Sequence, residues 1–219
     1  MSKKEISALI ANIVLVILGV LGIYKVVTVV GGNVFRFFTV DSNILGLVSS
    51  ILFVLFMILK RSQQEIPYFV MVLRYMATIA MFITFVVVIA YLAPVRIWIP
   101  DGTYLDNLKV LLLKDDMLYQ HFLCPVISLI SFIFFEGDRR LNKKKTVLFA
   151  LLPTLVYGIP MLIMNATGIV EGPYPFLRIS EAPLVNSIVM ICIILFSYLV
   201  GRCILFLNQK YSPRRIRKK

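Results

Sequence analysis

Six apolar runs, each long enough to cross a bilayer, limit what this chain can become. They lie near residues 6–30, 40–59, 68–93, 117–135, 146–167 and 184–207. A helix needs about 20 residues to cross a hydrocarbon core of about 30 Å. The core offers no water to backbone N–H and C=O groups, so only helices and closed barrels cross it, and these runs are too long for barrel strands. Of the 219 residues, 60% are hydrophobic and 16% charged, well short of the charge a soluble domain carries. The reading is all-α: a polytopic membrane protein forming one six-helix transmembrane bundle over residues 1–219. Pro125, Pro153 and Pro160 do not argue against it, because neighbouring helices and polar side chains re-satisfy the backbone groups that proline frees. The first run outlasts a signal-peptide core and no small-residue cleavage site follows it, so it is read as helix one.

Charge then orients the bundle. Fifteen basic residues fall on one side: Lys3, Lys4, Lys60, Arg61, Arg139, Arg140, Lys143, Lys144, Lys145, Lys210, Arg214, Arg215, Arg217, Lys218 and Lys219. Five fall on the other: Arg36, Arg96, Lys109, Lys114 and Arg178. The positive-inside rule places both termini in the cytoplasm, in a multi-pass protein of the cell membrane. The remaining three, Lys25, Arg74 and Arg202, sit near helix ends and are read as snorkelling to headgroups. A net charge of +12 concentrated in this way marks topology first and contact with anionic lipid second, not nucleic-acid binding.

Several functional classes drop out. All eleven acidic residues lie outside the apolar cores, whereas ion-coupled transporters carry midplane carboxylates or repeated broken helices, and neither is visible. Cys124, Cys192 and Cys203 occur singly, which is neither a disulfide framework nor a metal-ligand spacing. With one histidine in the chain, a zinc centre of ordinary ligand make-up is not expected, and no cofactor is implied.

That histidine, His121, lies one turn inside the fourth run, where a lone titratable group is a functional candidate by default. The second run opens on Thr39-Val40-Asp41-Ser42-Asn43. With the amino terminus inside, helices two and four both run from outside to inside, which puts Thr39 and His121 at similar depth near the outer leaflet. A hydroxyl becomes a nucleophile when a positioned base takes its proton, and Thr39 and His121 can fill these roles. Asn43, four residues on along the same face, can assist an oxyanion, with Ser42 as a further support. The amino-terminal dipole of helix four would keep the imidazole neutral. Cys124, three residues after His121, is an alternative nucleophile. Each has a plainer reading. Thr, Asp, Ser and Asn are preferred helix caps, an interfacial histidine can serve only as a hydrogen-bonding group, and a buried cysteine usually packs. The Pro/aromatic segment Gly172-Pro173-Tyr174-Pro175-Phe176-Leu177-Arg178 either frames a site or caps the bundle.

Residues Phe35-Arg36-Phe37-Phe38-Thr39-Val40-Asp41-Ser42-Asn43-Ile44-Leu45 resemble the F-x-x-F-T-x-x-S-N-x-L motif of the bacterial Pr6Pr membrane proteins. That family is related to the androgen-induced gene 1 and androgen-dependent TFPI-regulating proteins. Leu118-Tyr119-Gln120-His121-Phe122-Leu123-Cys124-Pro125 is similar to the family's "LLH…P" segment, and Tyr174-Pro175-Phe176-Leu177 to its "YPFL" segment before the last helix. Arg178 departs from the pattern, since an acidic residue is expected after "YPFL". The eukaryotic relatives are multipass threonine hydrolases that cleave fatty acid esters of hydroxy fatty acids. The resemblance therefore implies Thr39 as nucleophile, His121 as its partner and a fatty-acyl lipid ester as substrate. An acyltransferase using the same residues, and a lipid-binding or scaffold protein without turnover, stay open as alternatives.

For a working pair, the Thr39 hydroxyl and an imidazole nitrogen should lie within about 2.6–3.2 Å, beside an apolar cavity reaching both. Topology itself is testable with reporters. Alkaline phosphatase fused at either terminus should be inactive, and fused within residues 94–116 it should be active. Active terminal fusions would reverse the orientation.

Overall fold

The computed structural model describes residues 1–59, 65–96, 98–141 and 144–211. Lys60, Arg61, Lys143 and the basic tail beyond Tyr211 lie outside the described residues. Seven helices organise the rest: α1 (Lys3–Val30), α2 (Phe38–Leu59), α3 (Tyr68–Val87), α4 (Tyr104–Leu113), α5 (Cys124–Phe134), α6 (Leu152–Ala166) and α7 (Pro183–Tyr211). With their continuations they give six helices long and apolar enough to cross a membrane: Lys3–Arg36, Phe38–Leu59, Tyr68–Val95, Asp115–Phe134, Lys145–Ala166 and Pro183–Tyr211. No strand occurs among the described residues. The chain is an all-α, multi-pass membrane bundle.

Local chemistry sets the helix ends. Ser2 and Glu5 form a capping box at α1, and Thr103 and Asp106 do the same at α4. The Thr103 hydrogen bonds hold the Asp106 carboxyl below its usual range. Two spans contain a widened turn, Val88–Leu92 after α3 and Leu118–Leu123 before α5. Each lies just ahead of a proline. A proline ring clashes with the carbonyl four residues back and has no N–H to offer it. For Pro94 that carbonyl belongs to Ala90, and for Pro125 it belongs to His121. The chain widens by one residue instead, and Ala93 N–H and Cys124 N–H reach back five residues to Val88 O and Tyr119 O. A one-turn π-bulge of this kind often marks a functional position.

The polarity of the bundle runs inside out. Ile10, Ile17, Val156, Ile191, Leu195 and Phe206 face outward, while Asn12, Ser49, Ser50, Arg74, Thr78 and Ser128 are buried. Lipid supplies no hydrophobic force between helices, so packing and interhelical hydrogen bonds must hold them together. We call the end carrying both chain termini the terminal end, and the end carrying α4 and residues 167–182 the loop end.

At the terminal end Arg74 of α3 and Glu136, just past α5, form a wholly buried ion pair. Arg74 Nε donates to Oε2 and Nη2 to Oε1, both at 3.0 Å. Its other donors reach Ser50 at 3.1 Å, Ser128 at 3.3 Å and Ser49 at 3.4 Å. Glu136 Oε1 also accepts from Asn12 at 2.8 Å and Ser131 at 2.6 Å. One cation and one anion thus join α1, α2, α3 and α5. Asn208 of α7 reaches the same place, donating to Phe132 O at 2.6 Å.

This corrects two sequence expectations. Arg74 does not snorkel; it is the centre of a buried network. Glu136 is not outside the apolar interior either, because the chain turns back after Phe134 and Glu136 N–H bonds to Ser131 O at 3.1 Å. Hydropathy and distance from a helix end cannot reveal a long-range partner 62 residues away. Arg202, by contrast, is exposed, and Lys25 lies 5.1 Å from the Tyr119 ring.

Removing one member of a buried pair strands the other, at a cost of about 3–5 kcal/mol. Arg74→Met should therefore destabilise the detergent-solubilised protein by about that amount in thermal or denaturant unfolding, while Arg74→Met combined with Glu136→Met should recover most of it. Strictly additive losses would contradict the coupling.

Candidate active site

The geometry at the loop end starts with a helix that stops. The last carbonyls of a helix have no partner within it. α4 ends at Leu113, Lys114 is extended, and Asp115 takes a left-handed φ of 47° that turns the chain into the next span. Leu111, fully buried, is left with a free carbonyl. His121 Nδ1 lies 2.7 Å from it. A carbonyl can only accept, so Nδ1 carries the proton and Nε2 presents its lone pair. That lone pair faces Thr39 Oγ1 at 3.1 Å. The hydroxyl thus donates to a base whose tautomer is fixed by a third group, the arrangement general to activated nucleophiles.

Thr39 and His121 are separated by 82 residues, so no local preference brings them together. Two features do. Gly22 of α1 allows close approach: a Cβ there would lie 3.0 Å from Tyr119 Cβ and 3.3 Å from Gln120 Cγ. Gln120 Nε2 donates to Gly22 O at 3.2 Å, fixing the widened turn against α1. Asn43 then ties α2 to the same turn, donating to Gln120 O at 3.1 Å and to Thr39 O at 2.8 Å.

Asn43 therefore has both amide hydrogens committed to carbonyls, which corrects its expected part in stabilising an oxyanion. It is a positioning residue. Ser42 is another, donating to Thr39 O at 2.9 Å and lying 3.3 Å from Thr84 Oγ1. Ser42 and Asn43 donate to a carbonyl instead of accepting from a first-turn N–H, as a cap would. Cys124 packs among Leu15, Ala77 and Met81. His121 has both ring nitrogens engaged, with Leu111 O and Thr39 Oγ1, so it offers Cys124 no base. The dipole expectation also changes: the helix end that touches the imidazole is the carbonyl end of α4, which stabilises positive charge on the ring.

A third side chain stands at the hydroxyl. Tyr174 OH lies 3.3 Å from Thr39 Oγ1 and 3.5 Å from Thr39 N. Its ring stacks on Phe176 at 5.2 Å and meets Phe37 edge-on at 6.4 Å. Its phenol, protonated at neutral pH in any case, is pushed further above the ordinary range by burial. Arg178 steadies the loop, donating from Nε to Gly172 O at 3.0 Å and pairing with Glu171 at 3.2 Å and Glu181 at 3.6 Å. An arginine where an acidic residue was expected thus serves the loop locally. In sequence, Tyr174 belongs to a segment that either frames a site or caps the bundle, and no role attaches to it. It missed the Leu111 carbonyl and Gln120 altogether.

Thr39 and Tyr174 also line a cavity between α2, α3, α6, α7 and the loop, with about 730 Å³ of empty space including its mouth. Its walls are almost wholly apolar, with Ile83, Val87, Leu162, Met190 and Ile193 among them. Ile159, more than half exposed, carries the lining to the outer face of the bundle. Both residues of the pair were expected on the wall; Thr39 is there, and His121 meets the cavity through it. No group of three metal-ligating side chains occurs among the described residues. Compared with protein-family models, curated proteins and solved structures, the chain matches none.

Proposed function

We propose that the protein is an intramembrane threonine hydrolase that cleaves fatty-acyl lipid esters. One observation carries the reading: a histidine with its tautomer fixed by Leu111 O presents Nε2 to the Thr39 hydroxyl at 3.1 Å, on the wall of an apolar cavity. A hydroxyl aligned to a base beside an acyl-shaped space has the parts that acyl transfer requires. The motif resemblance to the Pr6Pr proteins and their threonine-hydrolase relatives points the same way.

The steps follow from the contacts. The acyl chain lies in the cavity with its ester carbonyl at Thr39. Oγ1 attacks the carbonyl carbon while His121 Nε2 takes the hydroxyl proton. The carbonyl end of α4 stabilises the imidazolium that forms. Negative charge on the former carbonyl oxygen is met by Tyr174 OH, which turns to it from Thr39 Oγ1. Collapse expels the alkoxide, which takes the proton from His121 and leaves as the alcohol. Water then attacks the acyl-threonine with His121 as base, freeing the fatty acid and restoring Thr39. With both termini cytoplasmic, as the charge asymmetry implies, the site faces the outer leaflet and draws water from that interface.

The test is turnover of a long-chain nitrophenyl ester by protein in nanodiscs, with free fatty acid identified as product. Thr39→Ala and His121→Ala should abolish it. Tyr174→Phe should lower kcat by about 10²–10³-fold, the usual cost of one oxyanion donor. Cys124→Ala should leave it unchanged. Full activity in Thr39→Ala would remove the assignment, and acyl transfer to a lipid alcohol instead of water would make the protein an acyltransferase.

A further inference from the structure

The cavity wall has one gap in its side chains, at Gly158. Thr154 and Leu162, one turn before and after it on α6, both line the cavity, so the Cβ direction of residue 158 points inward as well. An ideal Cβ built there meets nothing within 4 Å. Its φ lies outside the left-handed range, so no backbone constraint asks for glycine. The other glycines of α1, α2 and α7 serve contact, as Gly22 and Gly46 do against Tyr119 and Met81. Glycine also costs a helix about 1 kcal/mol relative to alanine. At position 158 that cost is matched by no neighbour, only by open space.

Height along the bundle gives the gap its meaning. Thr39 and Tyr174 stand at the loop end, while Thr154, which is 3.4 Å from Ser197 Oγ, stands deeper. An acyl chain held by its ester at Thr39 and directed inward must pass Gly158 to reach the Thr154 level. We infer that Gly158 is a specificity-determining position, which admits the distal part of a long acyl chain and would exclude it if a side chain were present. This rests on the reading of the cavity as an acyl site, but not on catalysis.

The experiment uses photoactivatable palmitate and octanoate, crosslinked to the full-length protein in nanodiscs and quantified by mass spectrometry. Replacing Gly158 by Ala, Leu and Phe forms a graded series, in which alanine favours the helix and so guards against misfolding. Palmitate crosslinking at α6 and α7 should fall stepwise, by about tenfold or more at Gly158→Phe, the scale of a side chain obstructing an apolar pocket. Octanoate should crosslink equally in all of them. Val156→Phe, of the same bulk on an outward-facing position, should behave as wild type. Palmitate crosslinking unchanged across every folded member of the series would overturn the inference, as would an equal loss in Val156→Phe. The readout needs no turnover. A protein without hydrolase activity that still loses palmitate at Gly158→Phe keeps the inference and loses the enzyme assignment. Undiminished palmitate beside intact turnover does the reverse.

Discussion

A polar group inside a membrane has no water to fall back on, and this bundle is organised by that shortage. At the terminal end the constraint takes its strongest form. The guanidinium of Arg74 has five N–H donors, and they reach Glu136 twice, Ser49, Ser50 and Ser128. Asn12 and Ser131 complete the carboxylate from α1 and α5. Because the charges would be costly alone, the four helices that supply their partners must pack in one register. That register carries upward along α2 and α5 to the loop end, where Thr39 and His121 meet. The site is thus a by-product of helix packing, not of any local motif.

The loop end obeys the same rule with neutral groups. Asn43 spends its amide on the carbonyls of Thr39 and Gln120, and Gln120 spends its own on Gly22. The widened turn forced by Pro125 leaves backbone carbonyls displaced from regular helix bonding. The end of α4 leaves another at Leu111, and His121 takes it. In soluble triads a carboxylate commonly orients the histidine. Here a backbone carbonyl does so, which avoids placing a further charge in the bilayer. Tyr174, which stands at the Thr39 hydroxyl, is likewise a neutral group.

How much of this was legible beforehand depends on the range of the signal. Hydropathy over about 20 residues is a property of each segment alone, so the six spans were readable to within a few residues. Thr39 and His121 could be picked out because polar side chains are scarce at these depths and their helices enter from the same side. The Arg74–Glu136 pair was not readable, since a basic residue near a helix end looks the same whether it snorkels or pairs. The acceptors of the Asn43 amide, Thr39 O and Gln120 O, were not readable either, because the second lies 77 residues away. Cys124 is set apart from Thr39 only by the partners of the imidazole nitrogens, Leu111 O and Thr39 Oγ1, which lie 10 and 82 residues from His121 and which no spacing names. Tyr174 lies in a loop whose path over the bundle no periodicity describes. The helix α4 is marked in sequence only by the capping signature of Thr103 and Asp106.

The central claim is that Thr39 is a nucleophile activated by His121. Covalent capture tests it most directly: the purified protein is treated with a fluorophosphonate and the modified residue is located by peptide mass spectrometry. The account predicts a single phosphonylated residue, Thr39, whose labelling disappears in Thr39→Ala and His121→Ala and persists in Cys124→Ala. Label on Ser42 or Cys124, or labelling of Thr39 that proceeds at the same rate without His121, would contradict it.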